Sequence, residues 1–305
     1  MAVAHPLSIC FSTLACPDWT WCDVLRNGRA FGYDGVELRL LLRETNLLAL
    51  ADFAPSQWPL RRRELDSAGF RVAGLASSVR FDDADIHARR RHLDTGRRYL
   101  DMAAALGAEF IRVFGDVLPP EDQPALRDAA LDQIAEGLTE LGEAAAGSNV
   151  QILLETHGDF SASLPAREVM QRVDHPQVGL VWDTHHPWRF HNEPLVETWD
   201  RLRPWVRHTH WKDSVTHREG AKLTDAAVSA ARAAAALMSG HRHADYVLFL
   251  GGEFPARQCL RLLREGGYRG WYSLEWEVMW HPELAPPEIA LPLFPPKLRE
   301  LAETL

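Results

Sequence analysis

The chain has 305 residues, is 46 % hydrophobic and carries a formal net charge of −9 with histidine neutral. That is enough apolar material for a large core, and at this length an α/β barrel can take up a whole chain. Lysine and arginine are scattered, which argues against a nucleic-acid partner, and no apolar run approaches the roughly 20 residues of a membrane span. Arg61-Arg62-Arg63 and Arg89-Arg90-Arg91 read as solvated helix faces. The N-terminus lacks a basic region, and His5, Pro6 and Pro17 break its apolar stretch, so it does not read as a signal peptide. Cys10, Cys16, Cys22 and Cys259 are spaced too widely for a zinc knuckle. Reduced, partly buried thiols in a cytoplasmic protein are expected.

Apolar, β-branched runs alternate with helical patterns along the chain. Strands are predicted at 7–12, 35–40, 71–77, 110–114, 150–156, 178–183, 206–210 and 271–276. Long helices are predicted at 83–106, ending before Gly107, and at 121–146, ending before Gly147. Shorter ones fall near 19–31, 55–68, 165–173, 194–202, 256–265 and 296–305. Eight strands alternating with helices predict an α/β fold, a single (β/α)8 TIM barrel spanning 1–305. One connection is too long for a plain βα unit and marks an insertion at about 215–247, after strand 7, with an Ala-rich helix (226–238) and the stretch Gly240-His-Arg-His243. On the catalytic face such an insertion would act as a lid or a subunit contact, or be a plain surface excursion. An open, nucleotide-binding sheet would want a glycine-rich turn after its first strand. Thr13-Leu-Ala-Cys-Pro-Asp18 holds no glycine.

Four of the apolar runs finish on a metal-ligating residue: Glu155, Asp183, His210 and Glu275. A buried carboxylate without a partner is costly, so the pattern calls for a counter-charge. The spacings between Glu155, Asp183 and His210 each match one βα unit. Strands 5 to 8 would then place the four residues on one arc of the barrel's C-terminal mouth. Two Glu, one Asp and one His suit one divalent cation, Mn²⁺ first, with Mg²⁺, Co²⁺ or Zn²⁺ as alternatives. Strand alternation puts His157 on the face of Glu155 and His208 on that of His210. His208, deeper in its strand, reads as a packed, hydrogen-bonded histidine. Glu37 and Arg39 share a face and would form an ion pair or line the pocket. Trp182, Trp188, Trp211, Trp271, Trp276 and Trp280 are near enough in sequence to offer flat surfaces to a carbohydrate, with about half of them ordinary core.

A cation holding adjacent oxygens of a hydroxy-ketone or hydroxy-aldehyde acidifies the C–H between them. Glu155 and Glu275 could flank that carbon and move its proton. Isomerisation, epimerisation and loss of water all begin with this step, and the ligand set does not separate them.

The motifs Leu154-Glu155-x-His157, Trp182-Asp183-Thr184-His185-His186, His210-Trp211-Lys212-Asp213 and Ser273-Leu274-Glu275-Trp276-Glu277 resemble those of the xylose-isomerase-like TIM-barrel superfamily of sugar (phosphate) isomerases and epimerases. The resemblance runs from Gly35-Val36-Glu37-Leu38 to the C-terminal helix. It implies Glu155, Asp183, His210 and Glu275 as metal ligands, and the two glutamates as the proton-transfer pair. It also implies His186 as a substrate ligand and Lys212 as a contact to a substrate oxygen or phosphate, with Arg112 a weaker candidate. His157 and Glu37 complete the expected substrate-binding set. The three-metal, endonuclease IV-like members of the superfamily need further histidines on strands 3 and 4 and an Asp-x-His after strand 7. Ala76-Ser77-Ser78, Arg112-Val113-Phe114 and Asp213-Ser214-Val215 lack them.

The expected function is a divalent-metal-dependent sugar or polyol isomerase or epimerase in carbohydrate metabolism. The alternative is a dehydratase of a keto-polyol on the same site. A non-catalytic barrel would have had no reason to keep the ligand set. Gly251-Gly252 could cradle a phosphate or simply turn the chain, and a non-phosphorylated substrate is favoured. A homo-oligomer remains open.

Overall fold

The computed structural model describes residues 6–173, 175–216 and 244–305. Its strands are β1 (Ser8–Ser12), β2 (Gly35–Leu38), β3 (Arg71–Arg80), β4 (Phe110–Phe114), β5 (Gln151–Glu155), β6 (Val178–Asp183), β7 (Val206–Trp211), β8 (Asp213–Val215), β9 (Asp245–Val247) and β10 (Trp271–Leu274). Eight of them close a barrel in the order β1-β10-β7-β6-β5-β4-β3-β2. Every pairing in that ring is parallel. This is the predicted (β/α)8 barrel, with β10 as its eighth strand.

Helix boundaries follow local chemistry. Thr20 and Asp23 form a reciprocal capping box at the start of helix Trp21–Ala30. Helix Ile86–Leu106 stops at Gly107, which takes a left-handed φ of 71°. The short helix His186–His191 was not expected, because six residues are too few to show a helical period. β3 runs to Arg80, beyond the predicted end at 77, after a register shift against β4.

Strand parity sorts the barrel interior into layers. At its floor, Ala73, Phe110, Leu153, Val181 and Trp271 pack with Cys10 as an apolar plug. Gly74 makes this packing feasible, since a Cβ there would sit 2.2 Å from Cζ of Phe110. Two residues up each strand the interior turns polar, with His208 and Ser273 buried beside Glu37. On β5 and β6 that same step, and on β7 one step beyond His208, brings Glu155, Asp183 and His210 to the mouth. Glu275 lies one residue past β10, and its N–H still donates to the Trp211 carbonyl at 3.0 Å, which prolongs the ladder. Outside the ring, a larger apolar cluster joins strands to helices.

The expected insertion begins and ends in a two-stranded ribbon. β8 and β9 pair antiparallel, with Asp213 opposite Val247 and Val215 opposite Asp245. The predicted Ala-rich helix and the His-bearing stretch lie outside the described residues. Asp213 clamps the returning chain, accepting from the N–H groups of Gly252 and Phe254 at 3.0 Å each. All four cysteines are free thiols, with only Cys22 exposed. No described helix is long and apolar enough to cross a membrane.

Candidate active site

Glu155, Asp183, His210 and Glu275 converge as the strand spacing predicts. One ligand atom from each lies within 4.8 Å of the other three, and all four residues are buried. His210 Nδ1 is the focus: it is 3.2 Å from Glu155 Oε1, 3.3 Å from Glu275 Oε1 and 3.9 Å from Asp183 Oδ2. Three carboxylate oxygens and one imidazole nitrogen within that span form a hard-to-borderline donor set that fits one divalent cation.

The charges within the cluster are strongly coupled. Burial pushes the Asp183 carboxyl up to about 7, partly offset by Lys212. Burial would also discharge His210, but Glu275, Glu37 and Glu155 outweigh it and hold the imidazole well above its ordinary range. The same balance holds for Lys212, which burial disfavours and Asp183, Glu275 and Glu277 keep charged. Its ammonium lies 2.9 Å from Asp183 Oδ2, 2.5 Å from Glu275 Oε2 and 2.6 Å from Glu277 Oε1. Removing one partner of a buried ion pair costs about 3–5 kcal/mol. Lys212→Met is therefore expected to lower unfolding free energy by about that amount in urea melts, and a loss under about 1 kcal/mol would contradict this balance.

Glu37 stands elsewhere than expected. Both of its carboxylate oxygens lie 3.0 Å from His210 Nε2, and one also meets His208 Nε2 at 2.8 Å and Ser273 Oγ at 3.0 Å. It is fully buried behind the imidazole and does not line the cavity, which corrects its placement as a substrate contact. Held this way, His210 turns Nδ1 towards the cluster. A carboxylate behind a ligating histidine fixes its tautomer and raises its basicity. Arg39, the other member of the pair, does line the cavity and does not bond Glu37.

The cavity above the cluster is walled by Glu155, His157, His186, Lys212, Glu275 and Arg112 among others. About 410 Å³ between these side chains is unfilled by protein atoms, part of it continuous with solvent. His157 Nδ1 pairs with Asp116 Oδ1 at 2.8 Å, and this bond overcomes burial to raise its pKa. His186 Nδ1 donates to the Thr156 carbonyl at 2.8 Å. Burial, then the nearby Lys212 charge, hold His186 well below its ordinary range, so Nε2 keeps a bare lone pair. Arg112 Nε approaches Glu155 Oε2 at 3.3 Å.

Of the six tryptophans near the site in sequence, only Trp280 lines the cavity. Trp182 stacks on Trp199 and Trp211 packs against Phe254 and Tyr272 in the outer core. Asp116 and Glu277 had no role in the sequence reading. Asp116 follows β4 by two residues and carries no motif of its own. Glu277 shares the face of Glu275, and that parity was the available signal. The Gly251-Gly252 turn offers no phosphate cradle: Gly251 N–H donates to the Leu248 carbonyl, and Gly252 N–H to the Asp213 carboxylate.

A closed parallel barrel with three carboxylates and one imidazole at the C-terminal mouth has the form of an enzyme barrel with a cluster able to bind a divalent metal. The chain belongs to the xylose isomerase-like TIM barrel family, whose profile matches residues 25–292. An inosose dehydratase of Yersinia enterocolitica is 24 % identical over 227 residues, covering 70 % of this chain and 72 % of that protein. Among solved structures, the IolI protein with a bound zinc atom matches with a TM-score of 0.71 at 17 % identity, over 98 % of this chain and 97 % of that one. The 3-keto-D-glucoside 4-epimerase YcjR of E. coli matches with a TM-score of 0.70 at 17 % identity, over 98 % of this chain and all of that one. At such identities the two structures speak for the fold alone.

Proposed function

We propose that Glu155, Asp183, His210 and Glu275 bind one divalent cation, Mn²⁺ first among the candidates, and that the site removes a proton next to the carbonyl of a sugar or polyol derivative with loss of water. The observation that carries this reading is the contact of Lys212 Nζ with Glu275 Oε2, an acid and a base side by side on the cavity wall. The bound ion would act as a Lewis acid on the substrate oxygens and so acidify the neighbouring C–H.

Glu275 takes the proton from carbon. The electron pair of that C–H bond forms the new double bond as the C–O bond to the β-hydroxyl breaks, and Lys212 Nζ protonates the departing oxygen to give water. Water's pKa of about 15.7 makes even a carboxylate-held ammonium acid enough for that leaving group. The proton on Glu275 then passes back to Lys212 across the same contact, and the pair is restored. His186, with Nδ1–H committed to Thr156, offers Nε2 as an acceptor for a substrate hydroxyl. His157 faces the same cavity from its pairing with Asp116, and Arg112 keeps Glu155 ionised.

Loss of water is also the activity named for the Yersinia relative, which this chain matches over most of its length. The second reading, an isomerase or epimerase, draws on Glu155 and Glu275 reaching the same His210 atom from two strands, as a two-base transfer needs. The test is incubation of Mn²⁺-loaded protein with keto- and aldo-sugars and keto-polyols in D₂O, read by mass spectrometry. A product lighter by one water is expected. Deuterium gained without loss of mass would move the assignment to the epimerase reading, and no change with any substrate would defeat both.

A further inference from the structure

Two arginines on the cavity wall hold donors that lack an acceptor among the described residues. Arg39, directly after β2, and Arg112, on β4, are each 2 % exposed. Arg39 Nη1 donates to the Thr45 carbonyl at 3.3 Å, while Nε has no partner among the described residues. Arg112 sits over the Phe114 ring, 3.8 Å from its centroid, which fixes the guanidinium plane. Its Nη1 has no acceptor among the described residues, and its Nε faces Glu155 without a directed hydrogen bond. Native proteins rarely leave buried donors unpaired, and charged donors least of all. The two groups also feel each other: after burial, the charge of Arg112 is the main cause that brings Arg39 down to about 10. A negatively charged acceptor facing both would satisfy the donors and relieve the repulsion together.

We propose that the substrate is a hydroxylated keto acid whose carboxylate is held by Arg39 and Arg112 while its hydroxylated end reaches Glu155, Asp183, His210 and Glu275. This rests on reading that cluster as the catalytic centre. Planar guanidinium forks match a carboxylate. The Gly251 and Gly252 N–H groups that could have suited a phosphate are already engaged. A neutral sugar hydroxyl would accept from these donors without offsetting their two charges, which a carboxylate does.

The test is calorimetric titration of Mn²⁺-loaded protein with two matched pairs, quinate against myo-inositol and D-gluconate against D-glucitol. It is run on the wild type, Arg39→Gln and Arg39→Lys. Neither Arg39 variant touches a cluster residue, and metal content checks that each has kept its site. In the wild type, the acid of at least one pair is expected to bind about tenfold or more tightly than its neutral counterpart. Arg39→Gln should erase that preference and Arg39→Lys restore part of it. No preference in either pair, undetectable binding included, overturns the proposal. So does a preference that survives Arg39→Gln, since the carboxylate would then sit on the ion, and so does tighter binding of glucitol 6-phosphate than of gluconate. A preference that follows Arg39 while nothing in the D₂O panel turns over would keep the carboxylate site and sink the catalytic reading. Turnover of neutral ketoses that ignores Arg39→Gln would do the reverse.

Discussion

Glu275→Gln is expected to cut turnover by about 10²–10⁴-fold, the usual worth of a positioned acid–base group, while the protein stays folded and holds metal. Glutamine keeps the size of the side chain and one carbonyl oxygen for the cation. It loses the carboxylate that would take the proton and hand it back to Lys212, 2.5 Å away. Glu155→Gln is expected to fall in the same range, because the Glu155 carboxylate, 3.2 Å from His210 Nδ1, would hold the cation that acidifies the C–H. The measurements are product formation by mass spectrometry, metal content by atomic absorption and a urea melt on the same samples. A metal-replete Glu275→Gln protein that keeps turnover within about tenfold of the wild type would remove Glu275 from the chemistry.

Stripping the divalent ion is expected to abolish turnover and to lower stability. An ion present at 100 times its Kd stabilises the folded state by about 2.7 kcal/mol. Here it would also relieve the crowding of carboxylates that burial and Glu275 impose on Asp183. In the metal-free protein His210 holds a proton that its carboxylate neighbours keep well above the ordinary imidazole range. A neutral imidazole is the ligand, so ion binding must expel that proton. The sign follows: apparent affinity rises with pH, about tenfold per unit for each proton displaced, as long as the pH stays below the pKa of His210. Titration of Mn²⁺ in two buffers of different ionisation heat should report proton release near pH 7, and His210→Ala should abolish binding. Equal affinity at pH 6 and pH 8, or no gain in melting temperature with Mn²⁺, would contradict the assignment of the cluster.

The ring and its four converging residues were legible because both depend on short-range patterns. Glu155 to Asp183 and Asp183 to His210 are each under thirty residues apart, one βα unit, and each ligand ends an apolar run that parity alone can orient. What lay hidden depends on distance. Nothing local tells Glu37 that its partner is 173 residues away, so the sequence left it between an ion pair and a pocket contact. The ribbon at the base of the insertion was hidden for the same reason: Asp213 and Val247 pair across a stretch with no strand periodicity. The tryptophans misled because closeness in sequence to a strand end says nothing about which side of the ring a large side chain takes. Trp182 and Trp211 alternate with Asp183 and His210 along their strands and so face outward.

The bond from Glu37 to His210 has a consequence for how the chain becomes competent. The four cluster residues come from β5, β6, β7 and the residue after β10, one continuous arc that the C-terminal half of the chain could in principle assemble alone. Glu37 comes from β2, on the other side of the ring. The imidazole therefore has its final orientation only once the first and last strands have met. If the cluster holds an ion as proposed, its capture at full affinity would mark a completed circle, and half-built chains would be poor competitors for the cell's supply of metal.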